Sequence, residues 1–244
     1  MREKMLFDNL IKYSCVMCLH KYHKFVPIVI DSIIKSIGNR KDIEFLVLDD
    51  SGEPWNEIEN INHIRLPKID LINKMIMGTQ LAKGQYYCNA DYDDIPHPQK
   101  FELLDNILKY NDIAGANNAV FWDVKTDKTY CLKHEFNTRT HTNKNKTIRF
   151  PWLHPSNSAV PLDWLRSVGY DGGYRIGMTH KEGKIMTDSP IWARAEMDGL
   201  KFGFIEDWKQ CWQIVHGGNI NVYNEEQWKN SFKEIKIKKP TVLL

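Results

Sequence analysis

The sequence predicts an α/β fold: one domain with a mostly parallel central sheet flanked by helices, and a smaller antiparallel second half. Three observations predict it. Over the first 110 residues, strand-length apolar runs alternate with segments whose apolar residues recur every three or four positions. One run, residues 43–48 (IEFLVL), is apolar without a break, as in strands covered on both faces. Strands separated by helices need crossover connections, and crossovers produce parallel pairs.

The elements follow in order. Residues 13–19 read as the first strand. Residues 22–37 read as a helix in which Phe25, Val29, Ile33 and Ile37 are spaced by four, and Gly38-Asn39 stops it. The strand at 43–48 runs into Asp49-Asp50-Ser51-Gly52, a turn signal. A short strand is expected at 63–66, a helix at 71–82 that stops at Gly84, and a good strand at 85–90. Asp91-Tyr92-Asp93-Asp94 comes at once, followed by Pro96, Pro98 and an amphipathic helix to about Tyr110. Beyond residue 112 the pattern changes. Residues 113–122 and 129–133 read as strands, and 134–149 as a long polar loop. A strand at 156–160, a short helix at 162–168, a Gly-rich stretch at 169–177, a helix at about 187–199 and a strand pair at 201–206 and 211–215 complete the chain. No repeat and no linker divides it. The expected organisation is a single domain over 1–244, with halves at 13–110 and 111–244 and a basic C-terminal tail.

At 244 residues the chain is long enough to bury a core without disulfides or structural metals. A hydrophobic share of 42% and a charged share of 26% exclude wholesale disorder. The net charge of +2 excludes a histone-like polycation. That near-neutrality is an average. Residues 133–149 carry Lys133, Arg139, Lys144, Lys146 and Arg149 against Glu135, and the tail carries Lys229, Lys233, Lys236, Lys238 and Lys239 against Glu234. Both segments suit an anionic partner, or a solvated loop that contacts nothing. The longest apolar run, about 25–30, falls far short of the roughly 18 residues that span a bilayer. The N-terminus opens no signal-like stretch. A soluble, cytoplasmic protein is expected, in a bacterium or a bacterial host, with no transmembrane segment and with peripheral membrane contact left open. Cys15, Cys18, Cys88, Cys131 and Cys211 have no framework spacing, which suits a reducing compartment. Richness in Ile, Asn, Lys, Phe, Tyr and Met with little Arg is usual for an AT-rich genome, bacterial or phage.

In open α/β sheets ligands bind at the carboxyl ends of the strands. Two such ends are acidic here: Asp49-Asp50 and Asp91-Tyr92-Asp93-Asp94. Crowded carboxylates suit a hard divalent ion that shares itself with substrate phosphates. They also suit a solvated turn capping the next helix. The position directly after a buried strand favours the ligand site.

Two segments carry a resemblance. IEFLVLDDSG resembles the "xIIVVDDGS" strand and turn of family 2 glycosyltransferases with the GT-A fold, and NKMIMGTQLAKGQYYCNADYDDIPHPQKFE resembles their "RNxGxxxAxGxYIxxxDxDDxxxPxxL" segment. The likeness covers roughly residues 13–110 and implies a nucleotide-sugar donor, uridine diphosphate by default. It would set Asp49 at the nucleobase edge and Asn73 near the base or ribose. Asp91, with Tyr92 beside it, would lie near the ribose and donor sugar, and Asp93 on Mn²⁺ or Mg²⁺. Where the family has Pro-x-Tyr-Asn, this chain has Cys18-Leu19-His20-Lys21, so Leu19 and His20 carry over only loosely, as base-side contacts.

The family's general base is an Asp in a Glu-Asp pair that opens a helix, and Thr187-Asp188-Ser189-Pro190 occupies that place. Asp188 is then a base within reach of an acceptor hydroxyl, or a plain N-cap. His216, before Gly217-Gly218, resembles a His that ligates the metal or contacts the diphosphate; it also reads as a structural group. Trp152 and His154 precede the region expected at the acceptor, where Trp152 either stacks on a sugar or base or packs in the core. Together the resemblance implies an inverting, metal-dependent glycosyltransferase whose acceptor is an envelope or lipid-linked saccharide. An alternative is a phage-type enzyme that glycosylates a hydroxymethylated base of duplex DNA, extruded against Trp152 or Phe150. Outside glycosyl transfer, a nucleotidyltransferase lacks its usual Gly-rich loop in residues 18–23, and a non-catalytic nucleotide-sugar-binding module would lack the base.

Overall fold

The computed structural model describes residues 10–21, 24–54, 58, 61–133, 137–143, 146–169, 189–216 and 230–240. Its centre is β1 (Tyr13–Leu19), every residue of which is buried. β1 pairs in parallel with β2 (Ile43–Asp49) on one side and β4 (Tyr86–Ala90) on the other. β3 (Asn62–Arg65) continues the parallel set beyond β2. On the far side, β11 (Ser158–Pro161) is antiparallel to both β4 and β6 (Ile113–Gly115), and β12 (Phe202–Phe204) is parallel to β6. Among the described residues this sheet has seven strands in the order β12-β6-β11-β4-β1-β2-β3.

The helices supply the crossovers. α1 (Val26–Ile37) begins later than the apolar spacing suggested, because Pro27 sits in its first turn, where a fixed φ and a missing N–H are tolerated. Gly38 closes it at φ 59°, donating its N–H to the Ile34 carbonyl at 2.9 Å. α2 (Leu71–Leu81) is capped by Asp70, which accepts the Asn73 N–H at 2.9 Å. α3 (Lys100–Ile107), α4 (Leu162–Val168) and α5 (Ser189–Met197) complete the set.

Three expectations fail in the second half, and the tail holds a further strand. Residues 113–122 are two strands, not one: the chain leaves the large sheet after β6 and enters another at β7 (Val120–Asp123). Asn118 makes the break, since its side chain accepts the Leu132 N–H and donates to the Leu132 carbonyl, both at 3.1 Å. The strands near 201–206 and 211–215 do not pair with each other. β12 joins the large sheet, while β13 (Trp212–Val215) pairs with β7 and with the two-residue β5 (Asp94–Ile95). Among the described residues the second sheet has the order β14 (Phe232–Ile235), β8 (Lys128–Leu132), β7, β13, β5. The polar segment read as a loop is a hairpin, β9 (Thr138–Asn143) against β10 (Lys146–Pro151). Its threonines favour extended backbone, and Ile148 and Phe150 are buried, two apolar residues being too few to show a period. Finally, the basic tail contains β14 (Phe232–Ile235), paired with β8. Two of its charges are met within the chain: Glu234 bonds Lys128 at 2.9 Å, and Lys239 bonds Asp127. All five cysteines are buried and free, as expected.

The turn into β4 tests this packing. A Cβ on Gly84 would stand 2.6 Å from the Ser14 backbone nitrogen and 2.8 Å from the Tyr13 carbonyl carbon. Unfolded-chain entropy alone would make Gly84→Ala stabilising by roughly 0.4–1 kcal/mol. The backbone clash reverses the sign, and a loss of about 1–3 kcal/mol is expected in urea unfolding. A raised midpoint would show that β1 and the turn into β4 do not approach this closely.

Candidate active site

The parallel pairing of β1, β2 and β4 makes three strands end at one edge. Leu19 lies opposite Asp49 in the β1–β2 register, and Met17 lies opposite Ala90 in the β1–β4 register. The strand ends therefore deliver Leu19-His20, Asp49-Asp50 and Asn89-Asp91 to the same border. Asp49 is buried; it accepts the Ser51 N–H at 2.8 Å and faces His63 Nε2 at 3.0 Å. Burial alone would raise its carboxyl, but the Ser51 and His63 bonds outweigh it and hold the group below the usual carboxylate range.

Asp50 is met by a lysine. Both side chains are fully buried, and Lys74 Nζ stands 2.5 Å from Asp50 Oδ1 while also donating to the Leu19 carbonyl at 2.9 Å. The Ile69 N–H reaches Asp50 Oδ2 at 3.2 Å, and His20 Nδ1 lies 3.3 Å from Oδ1. Burial raises this carboxyl too, but the Lys74 bond, the Ile69 N–H and the Lys74 and Lys68 charges together more than offset it and hold Asp50 below the usual carboxylate range. Lys74 was not among the residues expected at the site. Its signal in the sequence is that it shares the buried stripe of α2 with Met75 and Gly78, where an unpaired charge would be costly.

At the end of β4, Asp91 donates its N–H to Ser156 Oγ at 2.7 Å and accepts from the Asn89 amide at 2.7 Å. Tyr92 is buried, and burial with the Asp93 and Asp91 charges pushes its phenol up. The buried Asp93 accepts the Ile214 N–H at its carbonyl, 2.8 Å, so β13 passes directly behind it. His216, one residue past β13, is half-buried with its ring 5.9 Å from that of Phe25, and burial lowers its pKa. Asp94 turns inward. Its carboxyl is 1% exposed and 3.4 Å from His154 Nε2. Burial, then the charges of Asp91 and Asp93, push Asp94 well up; burial, helped by Lys100, pulls His154 down to about 3. Both shifts favour the uncharged forms of the two facing groups. Asn157 supports the imidazole, lying 3.1 Å from His154 Nδ1, and also accepts the His97 N–H at 2.8 Å.

Leu19, His20, Asp49, Asp91, Tyr92 and Asp93 share this border, with His216 behind it. Asn73 is on the exposed first turn of α2, its side chain bonded to Asp70. Trp152 and His154 are both buried, Trp152 with Arg139 over its ring at 5.3 Å, which is the core packing open to Trp152 from the start. Asp188 lies outside the described residues; α5 begins at Ser189. Among the described residues no three His, Cys, Asp or Glu side chains converge as a metal cage. The donor set instead fits an ion that completes its shell with substrate phosphates, which needs only one or two protein carboxylates.

Comparison with known proteins matches residues 14–168 to the family described as glycosyl transferase family 2. No curated protein sequence matches the chain. Among solved structures, residues 1–349 of S. aureus TarS in complex with UDP-GlcNAc superpose with a TM-score of 0.59 at 13% identity, over 89% of this chain and 64% of that one. The same TarS segment in complex with UDP gives 0.55 at 11% identity, over 84% and 60%. This chain therefore spans less than two thirds of the TarS segment, and at these identities the likeness is one of fold.

The Asp94–His154 pair has a signature in acid. An unfolded imidazole takes up a proton below about pH 6.5, whereas folded His154 stays neutral down to about pH 3. The unfolded state then holds the extra proton, and this group's contribution to stability falls as pH falls. Asp94 has the opposite sign, because its folded carboxyl keeps a proton above the ordinary 3.8, where the unfolded one has lost it. In the intact pair the two effects oppose each other. Asp94→Asn should leave the His154 effect alone and steepen the loss between pH 6 and 4, by at most about 1.4 kcal/mol per pH unit relative to wild type. His154→Gln should shift the slope the other way. Urea titrations at several pH values read both.

Proposed function

The chain belongs to glycosyl transferase family 2, and we propose that it moves a sugar from a uridine diphosphate sugar to an acceptor hydroxyl with inversion at the anomeric carbon. The observation that carries this reading is the shared border at which Asp49-Asp50 and Asp91-Tyr92-Asp93 end parallel strands, all within the matched residues. A uridine donor draws support from the TarS segment of like fold, which was solved with UDP-GlcNAc and with UDP.

On this reading residues 13–110 form the donor half and 111–244 the acceptor half. Leu19, His20 and Asp49 face the base, Asn73 lies near the base or ribose, and Asp91 with Tyr92 faces the ribose and donor sugar. Asp93, with His216, would hold a Mn²⁺ or Mg²⁺ on the diphosphate, where a divalent ion offsets the charge gathering on the leaving group. Asp188 takes the proton of the acceptor hydroxyl as its oxygen bonds to the anomeric carbon. The bond from that carbon to the diphosphate oxygen breaks on the opposite face, and its electron pair leaves with the nucleotide.

The proposed acceptor is an envelope or lipid-linked saccharide, met by the protein in the cytoplasm or at an anionic membrane surface. No described helix is long and apolar enough to cross a membrane. The basic segments offer an anion less than their composition suggests, because Lys239 is bonded to Asp127. Arg149, Lys233, Lys236 and Lys238 stay exposed.

Release of sugar from a panel of UDP-sugars with Mn²⁺ tests the activity; pyrophosphate chemistry would point to a nucleotidyltransferase, and silence to a binding module. Asp93→Asn should lose both transfer and metal-dependent donor binding. Asp188→Asn should lose transfer and keep donor binding; full transfer in that variant would overturn the base assignment. Binding to hydroxymethylated duplex DNA that weakens steeply with salt would replace the saccharide acceptor with DNA.

A further inference from the structure

A buried lysine beneath a base-binding edge calls for a function. Lys74 reaches through the core of the sheet edge to the Leu19 carbonyl and to Asp50, both side chains of the ion pair being fully buried. Asp50 in turn lies 3.3 Å from His20 Nδ1, and the His20 side chain is 37% exposed. Lys68 fastens the same corner from outside, 3.4 Å from the His20 carbonyl and 3.3 Å from that of Asp50. Three chain segments thus meet on one carboxylate, and the single ring among them that reaches solvent is that of His20.

A carboxylate at Nδ1 favours the tautomer that carries its proton there, which leaves Nε2 with a lone pair. Among the described residues no group bonds that nitrogen. We propose that His20 reads the nucleobase by accepting a hydrogen bond at Nε2 from a ring imino N–H, and that Lys74, acting through Asp50, is its positioning residue. The proposal rests on the donor-site reading above and deepens it. Uracil N3–H and guanine N1–H are donors at the matching place. Cytosine N3 and adenine N1 are acceptors and would meet the lone pair with their own.

Calorimetric affinities of the full chain for UDP, GDP, CDP and ADP, with Mn²⁺ present, test it. Wild type should bind UDP or GDP about tenfold or more tightly than CDP and ADP, the scale of one hydrogen bond against an unsatisfied acceptor. His20→Ala should erase that ratio. So should Lys74→Met combined with Asp50→Asn, a change that leaves no lone buried charge and keeps an acceptor for the Ile69 N–H. Combining all three should cost no more than either set alone, because both act on one contact. A purely structural role for Lys74 would lower stability and leave the ratio intact, and that result, or losses that simply add, overturns the relay. Preference for CDP or ADP overturns the reading of the base. If wild type binds none of the four, the donor site itself falls, a distinct outcome. Should the Lys74 variant not fold, nitrogen chemical shifts of His20 in wild type decide: an Nδ1–H tautomer supports the relay, and an Nε2–H tautomer overturns it.

Discussion

The rest of the structure depends on β1 lying in parallel between β2 and β4, buried on both faces. A strand in that position can hold no charge along its length, and its neighbours obey the same rule over most of theirs. Apart from Glu44 near the start of β2, which accepts from Ser14, the charged groups come where the strands end. Because the pairing is parallel, those ends fall on one side of the sheet. The site is therefore a product of sheet direction before any side chain is considered.

Concentrating carboxylates at one edge creates a repulsion that the fold answers in different ways. Asp49 is held ionised by the Ser51 N–H and His63. Asp50 has Lys74. Asp94 is pushed toward its protonated form by burial and by its acidic neighbours, and it faces His154 at 3.4 Å. A buried ion pair returns little over its desolvation, yet removing one partner leaves a charge that costs roughly 3–5 kcal/mol. Lys74 and Asp50 are accordingly interdependent, whatever ligand the edge receives.

The later half of the chain works as a brace for the earlier one. Ser156 and Asn157, from the short 3-10 turn Pro155–Asn157, hold the backbone of Asp91 and of His97. β13 pairs with Asp94–Ile95 and bonds the carbonyl of Asp93. The acidic segment is thus clamped between two sheets by residues 60 or more positions away in the chain, an arrangement suited to pre-organised charge. His154, expected at an acceptor, belongs to this brace.

The sequence by itself determined the strands and helices of the first 110 residues, since continuous apolar runs and a four-residue spacing are local signals. It also determined that Asp49-Asp50 and Asp91–Asp94 follow strands directly, which is all that the sheet direction needs to bring them together. It did not show the hairpin at 138–151, where threonine alternation carries almost no apolar contrast, nor the break at Asn118, whose cause is a bond to Leu132 across the second sheet. Which residues are partners was decided only by the tertiary structure. Lys74 lies 24 positions from Asp50 and 55 from Leu19, and His154 lies 60 from Asp94. A buried charge is stable only where a partner stands within a few ångströms, and that proximity comes from chain crossings that no local period encodes.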